Sequence, residues 1–111
     1  MSKKPVVIVV SFQIKAGMEE AFKKEVTAMT ELVIHEPECL NANLYQAMDD
    51  STKFMLYETW LDRDYFVNVQ LKKPYYEPYL EKTMPMWLEP RVIAYWEILS
   101  EQLGGGYSAK S

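Results

Sequence analysis

The sequence predicts an α+β domain: a four-stranded antiparallel sheet with helices on one face, in the order β-α-β-β-α-β. Three observations predict it. Residues 6–15 alternate yet are apolar on both faces at their start, the pattern of a central strand. Phe22, Val26, Met29 and Val33 recur at helical spacing among charged residues. A polar Asp49-Asp50-Ser51-Thr52 turn separates two further alternating runs.

Val6, Ile8, Val10, Phe12 and Ile14 share one face of the first strand, and Val7, Val9, Ser11 and Gln13 the other. Ala16-Gly17 breaks it. The helix that follows has Glu19 and Glu20 in its first turn, where the helix dipole favours acids. Pro37 stops it, because the residue before a proline is pushed out of the helical region.

Leu40, Ala42, Leu44, Gln46 and Met48 then alternate with Asn41, Asn43, Tyr45 and Ala47 as a second strand. KFMLYETWL, residues 53–61, is the third, and the short turn between them predicts a hairpin. Asp62 caps a helical stretch reaching about Lys73. Pro74 divides it from a tyrosine-rich helical piece, residues 75–87, which Pro85 and Pro90 close. RVIAYWEILS, residues 91–100, is the last strand. Residues 1–101 thus form one domain, and residues 102–111, with three consecutive glycines, a flexible tail.

Right-handed crossovers turn this order into a ferredoxin-like fold with both helices on one sheet face. The other face would carry Val7, Val9, Tyr45, Met55, Tyr57, Ile93 and Tyr95, too much apolar surface to leave in water. A second copy stacked sheet against sheet would cover it, which predicts a twofold homodimer.

Composition excludes several functions. The net charge of -4 is spread along the chain rather than gathered into the basic patch that nucleic acid requires. No apolar run is long enough to span a membrane. The amino-terminal basic-then-apolar stretch breaks into alternation at Ser11, Gln13 and Lys15 with no small-residue cleavage site, so it reads as a strand of a cytoplasmic protein. One histidine, His35, and one cysteine, Cys39, close neither a metal site nor an intramolecular disulfide. Pro37 between them keeps the pair off a common helical face. Cys39 reads as a small apolar residue starting a strand, and His35 as a cap on helix-end carbonyls. The four glycines are Gly17 and the tail trio, leaving no phosphate loop.

Certain stretches carry a resemblance. IKAGMEEAF leads into an amphipathic helix, then HEPECL, then FMLYETW, LDRDYF and a Lys-Pro-aromatic segment. Glu36-Pro37 with Cys39, and Tyr57-Glu58-x-Trp60 with Asp62, are the most telling pieces. In this order they resemble the antibiotic biosynthesis monooxygenase family over roughly residues 5–100. The resemblance implies a dimeric α/β barrel and oxidation of quinols or related polyphenols by molecular oxygen, with no flavin, haem or metal cofactor. Two departures stand out. Gln70 and Tyr75 occupy the neighbourhood where many relatives carry histidines, which counts against haem ligation, and Glu38 stands where the family turn commonly has glycine.

By strand parity Phe54, Leu56, Glu58 and Trp60 share a face, and the resemblance points that face, with Val10 and Phe12, at the pocket. Glu58 among apolar neighbours is either a general base with a raised pKa or a member of a structural ion pair with Arg91 or a lysine. Trp60 is either a stacking wall for a planar substrate or plain core. Tyr65, Phe66, Tyr75, Tyr76 and Tyr79 on the broken helix form either a lid over the pocket or packing and dimer contacts. Gln70 is placed to donate a hydrogen bond to a substrate oxygen. The functional expectation is a cofactor-independent monooxygenase for a small aromatic such as a quinol. The alternative is a non-catalytic small-molecule-binding dimer of the same fold, and a haem-degrading enzyme is a distant third.

Overall fold

Alternation and helical periodicity in the sequence become strands and helices close to where those patterns lie. The computed structural model describes residues 3–110, with side chains through residue 107; residues 1–2 and 111, at the ends of the expected domain and tail, lie outside the described residues. The chain runs β1 (Val6–Gln13), α1 (Glu19–Val33), β2 (Cys39–Gln46), β3 (Lys53–Trp60), α2 (Arg63–Asn68), α3 (Tyr76–Thr83), β4 (Val92–Trp96) and a short α4 (Gly105–Lys110). Two 3₁₀ turns, Gln70–Lys72 and Met84–Met86, flank α3. The sheet order is β2-β3-β1-β4, every neighbour antiparallel. This is the ferredoxin-like α+β arrangement.

The core lies between the sheet and the helices. Val6, Ile8, Val10 and Phe12 of β1 meet Phe54, Leu56 and Trp60 of β3 and Phe22, Val26, Met29 and Val33 of α1, all buried. The Phe22 ring sits 4.9 Å from Phe12 and 5.0 Å from Phe54, centroid to centroid. Burying one such side chain contributes about 1.5–3 kcal/mol, so the α1 stripe fixes the helix to the sheet. Gly17 takes φ +91 at the turn into α1, a conformation open to glycine at no steric cost. The backbone N–H of Gly17 donates to Oε1 of Glu19, closing that turn.

Helix α1 ends at Val33, ahead of Pro37, and His35 is exposed beyond it. Asp62 caps α2 as expected: its Oδ2 accepts from the Tyr65 N–H at 3.2 Å, and its Oδ1 from the Lys4 N–H at 3.1 Å. That carboxylate therefore ties the segment before β1 to the start of α2. The stretch expected as helix to Lys73 breaks sooner, α2 ending at Asn68, with a 3₁₀ turn before Pro74. No described residue other than glycine has positive φ, so Glu38 holds its turn in an ordinary conformation. There it pairs with Lys3 at 2.7 Å.

Two expectations about strand faces change. A β-bulge shifts the β2–β3 register between Cys39 and Asn41, so Cys39 lies opposite Trp60 while Asn41 lies opposite Thr59. Leu40 is the extra residue and is 57% exposed, whereas Ala42 and Leu44 still face inward opposite Glu58 and Leu56. On β4, Ile93 pairs with Val10 and Tyr95 with Ile8, which puts Ile93 and Tyr95 on the helix side. Val92, Ala94 and Trp96 instead join Val7, Val9 and Tyr57 on the outer face. The sequence alone shows alternation on β4; pairing with β1 fixes its phase.

Candidate functional site

A cavity of about 80 Å³ opens between the sheet and the broken helix. Val10, Phe12, Leu56 and Glu58 floor it, Phe66, Tyr76 and Tyr79 cover it, and Arg91 and Ile93 close the β4 side. Strand parity builds the floor, since residues 54, 56, 58 and 60 of β3 and 8, 10 and 12 of β1 all point toward the helices. Pro74 and the 3₁₀ turns make the cover from short pieces rather than one rigid helix.

Glu58 is the carboxyl that lines the cavity. Its side chain is 4% exposed, and among the described residues no ion pair involves it. Its hydrogen-bond partner is Trp60, whose Nε1 donates to Oε1 at 2.8 Å. Burial raises the Glu58 pKa from its ordinary 4.5, and the indole bond works against that rise. A carboxyl held this way keeps its proton to higher pH than an exposed one. The ion pair with Arg91 weighed from the sequence does not form. The Arg91 guanidinium lies 5.4 Å from the Trp87 ring centroid, on a ring face, while still lining the cavity.

Trp60 is fully buried beside Glu58, with Tyr65 stacked at 6.5 Å and Phe66 at 5.2 Å. It supports the cavity floor without lining it, and Tyr65 packs behind it. Tyr79 lines the cavity, while its hydroxyl is fully buried near the Thr83 side chain without a well-formed hydrogen bond. Burial pushes the Tyr79 hydroxyl up to about 12, and Arg91 draws it back. Tyr76 lines the cavity too, its pKa raised chiefly by burial.

Gln70 and Tyr75 lie behind this cover. Gln70 is fully buried, and its Nε2 donates to the hydroxyls of Tyr75 at 2.6 Å and Tyr76 at 2.9 Å. The Tyr75 hydroxyl donates in turn to Oε2 of Glu36 at 2.7 Å. Cys39, half-buried near Glu58, has its thiol pushed up to about 11, mainly by burial, and is a poor nucleophile.

Sequence reasoning named Glu58, Val10, Phe12, Leu56, Phe66, Tyr76 and Tyr79, which the fold brings together. It did not assign Arg91 or Glu36 to a site. Arg91 was accessible in principle, because residues 91, 93 and 95 share a parity; Glu36 offered no signal beyond its proline neighbour.

Open clefts also occur at the sheet edges, one of about 710 Å³ bounded by Lys3, Lys4, Leu40, Arg63 and Trp96. None of the buried polar side chains lines it. Among the described residues no cluster of three or more His, Cys, Asp or Glu is arranged to hold a metal ion, and no helix is long and apolar enough to cross a membrane.

Comparison with known proteins gives the chain a family. The antibiotic biosynthesis monooxygenase model matches residues 5–70, which carry β1 through Gln70. A candidate antibiotic biosynthesis monooxygenase from Nitrosomonas europaea superposes with a TM-score of 0.81 at 25% identity, covering 89% of this chain and 94% of that one. Rv0793 from Mycobacterium tuberculosis gives a TM-score of 0.79 at 21% identity, covering 87% and 97%. SnoaB from Streptomyces nogalater, a cofactor-independent oxygenase solved as a point mutant, gives 0.78 at 15% identity, covering 88% and 96%. No curated protein matches the chain in sequence. With over half its length matched by the family model, the chain belongs to the antibiotic biosynthesis monooxygenase family.

Proposed function

We propose that this protein is a cofactor-independent monooxygenase that oxidises a small phenolic, quinol-like molecule with O2. The observation that carries the reading is Glu58: a buried carboxyl without a cationic partner, facing an apolar cavity covered by tyrosines.

Such a site suits chemistry in which the substrate supplies the electrons. Glu58 takes the phenolic proton, and the Tyr79 hydroxyl and Arg91 charge favour the resulting anion in a low-dielectric pocket. The electron-rich ring passes an electron to O2, and the two radicals combine to form a C–O bond at a ring carbon. Glu58 returns its proton to the distal peroxide oxygen. Loss of the ring C–H proton with O–O cleavage leaves a carbonyl, and hydroxide departs, taking that proton to become water. One oxygen atom enters the product and the other leaves as water.

The apolar outer sheet face supports a twofold homodimer. Tyr45, Val92 and Trp96 are exposed on it at 48%, 63% and 59%, beside Val7, Val9 and Tyr57.

Oxygen uptake with a panel of hydroquinones in chelator-treated buffer tests the reading. Turnover that falls about 10²-fold in Glu58→Gln supports it; wild-type activity in that variant removes Glu58 from the mechanism. A second reading, a non-catalytic small-molecule-binding dimer, is favoured by the absence of histidine from the cavity lining, whose volume of about 80 Å³ constrains both readings alike. Drug-sized ligands occupy sites of about 300 Å³ and upward, so substrate entry requires α2 and α3 to part. Saturable quinone binding without oxygen uptake selects that second reading.

A further inference from the structure

The cover of the cavity, from α2 to the second 3₁₀ turn, is pinned at both ends by backbone hydrogen bonds. At its start the Arg63 N–H donates to the Lys4 carbonyl at 2.8 Å, beside the Asp62 cap. At its close the Lys15 N–H donates to the Met86 carbonyl at 2.8 Å. Between these pins, polar ties from the cover to the rest of the described residues occur at two places. One is the ion pair of Lys82 with Glu25, 3.7 Å long and on the surface, a geometry that contributes little. The other is Glu36.

Glu36 sits in the turn from α1 to β2 with its backbone held on both sides. Its N–H donates to the Val33 carbonyl and its carbonyl accepts from the Cys39 N–H, each at 3.0 Å. Pro37, its φ fixed by the ring, stiffens the same turn. The Glu36 Oε2 takes the Tyr75 hydroxyl at 2.7 Å and Lys73 Nζ at 3.4 Å, from either side of Pro74. There the cover is weakest, a single 3₁₀ turn ahead of α3. Gln70 carries the hold inward. Its Nε2 donates to the Tyr75 hydroxyl at 2.6 Å and to the hydroxyl of Tyr76, a residue of the cavity lining, at 2.9 Å. The Tyr75 and Tyr76 rings also pack together, 4.9 Å between centroids. The Gln70 Oε1 is buried with no partner, so the shut arrangement leaves one acceptor unsatisfied that water would reach if this stretch lifted.

We propose that Glu36 is the latch of the cavity: through Tyr75 and Lys73 its carboxylate holds residues 69–76 against the α1–β2 turn, and its release lets the cover part for a phenol to enter. The proposal rests on the reading of the cavity as the phenol site. Its volume of about 80 Å³ lies well below the roughly 300 Å³ at which ligand sites begin, so entry needs an opening. The position suits that task. A hydroxyl donating to a carboxylate makes one strong bond, and the Glu36 side chain is 15% exposed, so water competes for it directly. The pins at Arg63 and Met86 are backbone bonds that stay made, so the cover lifts at its middle without leaving the domain.

The test compares wild type with Tyr75→Phe, which keeps the ring and loses the hydroxyl, and with Lys82→Met, which breaks the surface pair. Amide hydrogen exchange, followed without ligand, is expected to quicken about tenfold at residues 69–77 in Tyr75→Phe and to stay at wild-type rates in β1 and β3. Stopped-flow binding of 4-nitrophenol, read by its absorbance, is expected to speed in both association and dissociation by about that factor, with affinity nearly unchanged. Glu36→Gln should shift both readouts in the same direction, and Lys82→Met neither. Exchange at wild-type rates in Tyr75→Phe, or exchange that quickens equally in the sheet, overturns the latch, as does association that is slower or unaltered. Wild-type protein that binds no 4-nitrophenol overturns the reading of the cavity and with it the latch's part in entry. The exchange measurement needs no ligand, so it tells that failure from a failure of the latch itself.

Discussion

Nε1 of Trp60 donates a 2.8 Å hydrogen bond to Oε1 of Glu58, two residues back on the same face of β3. The bond is built within a single strand, so it holds the carboxyl in place whatever the cover above does. The indole opposes the raised pKa that burial imposes but does not cancel it. The folded state therefore holds this proton more tightly than the unfolded chain. Its stabilising contribution is full below the ordinary value of 4.5 and is lost as pH rises through the folded value. Glu58→Gln has no such loss. Thermal melts at stepped pH should show the variant gaining on wild type as pH climbs above 4.5. Glu36, Asp50 and Asp62, whose pKa values are lowered, titrate in both proteins and cancel in the comparison. A difference that stays flat with pH would contradict the assignment.

Tyr79 offers a way to separate binding from stability. Its hydroxyl is buried near Thr83 without a well-formed hydrogen bond, so the fold gains little from it. Removing an unsatisfied buried group is neutral or stabilising, by about 1–3 kcal/mol at most. Tyr79→Phe should therefore melt no lower than wild type yet bind phenols about 10- to 100-fold more weakly, since the hydroxyl freed when the cover parts gives a hydrogen bond to a charged oxygen worth about 1.5–3 kcal/mol. Calorimetric titration beside a melting curve checks both halves. Loss of stability with retained affinity would show that the hydroxyl serves the fold.

The bulge in β2 makes a paired prediction. Leu40 is extruded and Leu56, on the neighbouring strand, is 4% exposed in the core. Leu56→Ala should cost about 2–5 kcal/mol in urea unfolding, while Leu40→Gln should stay within about 0.5 kcal/mol. A large loss from the Leu40 change would mean that the unbulged register, with Leu40 inward, is the populated one.

How far the sequence led can be judged from such residues. Phe22, Val26, Met29 and Val33 are buried as their spacing implies, because one helix face against one sheet face is a local rule. Glu58 was legible for the same reason: parity along β3 puts it between Leu56 and Trp60. The bulge at Leu40 and the phase of β4 were not legible, since register arises between strands and leaves no mark within either one. Arg91 and Glu36 escaped for a related reason. Their roles depend on Trp87, Tyr75 and Gln70, which reach them only after the broken helix has folded back.

The outer sheet face gives the last prediction. Trp96 lies on it opposite buried Val7 and is 59% exposed, beside half-buried Val9 and Tyr57 and exposed Tyr45 and Val92. A twofold stack of sheets removes that surface from water, and stable interfaces of this type bury about 1,600 Å² in total. Trp96→Asp places a charge at the β4 edge of that face, and desolvating an unpaired charge costs far more than one ring contributes. Light scattering should give a dimer mass for wild type at micromolar concentration and a monomer mass for Trp96→Asp. Met48→Asp, at the exposed hairpin turn, should leave the dimer intact. Melting temperature should rise with concentration in wild type and in Met48→Asp, and be independent of it in Trp96→Asp. A wild-type monomer would remove the dimer and leave the apolar face without an occupant.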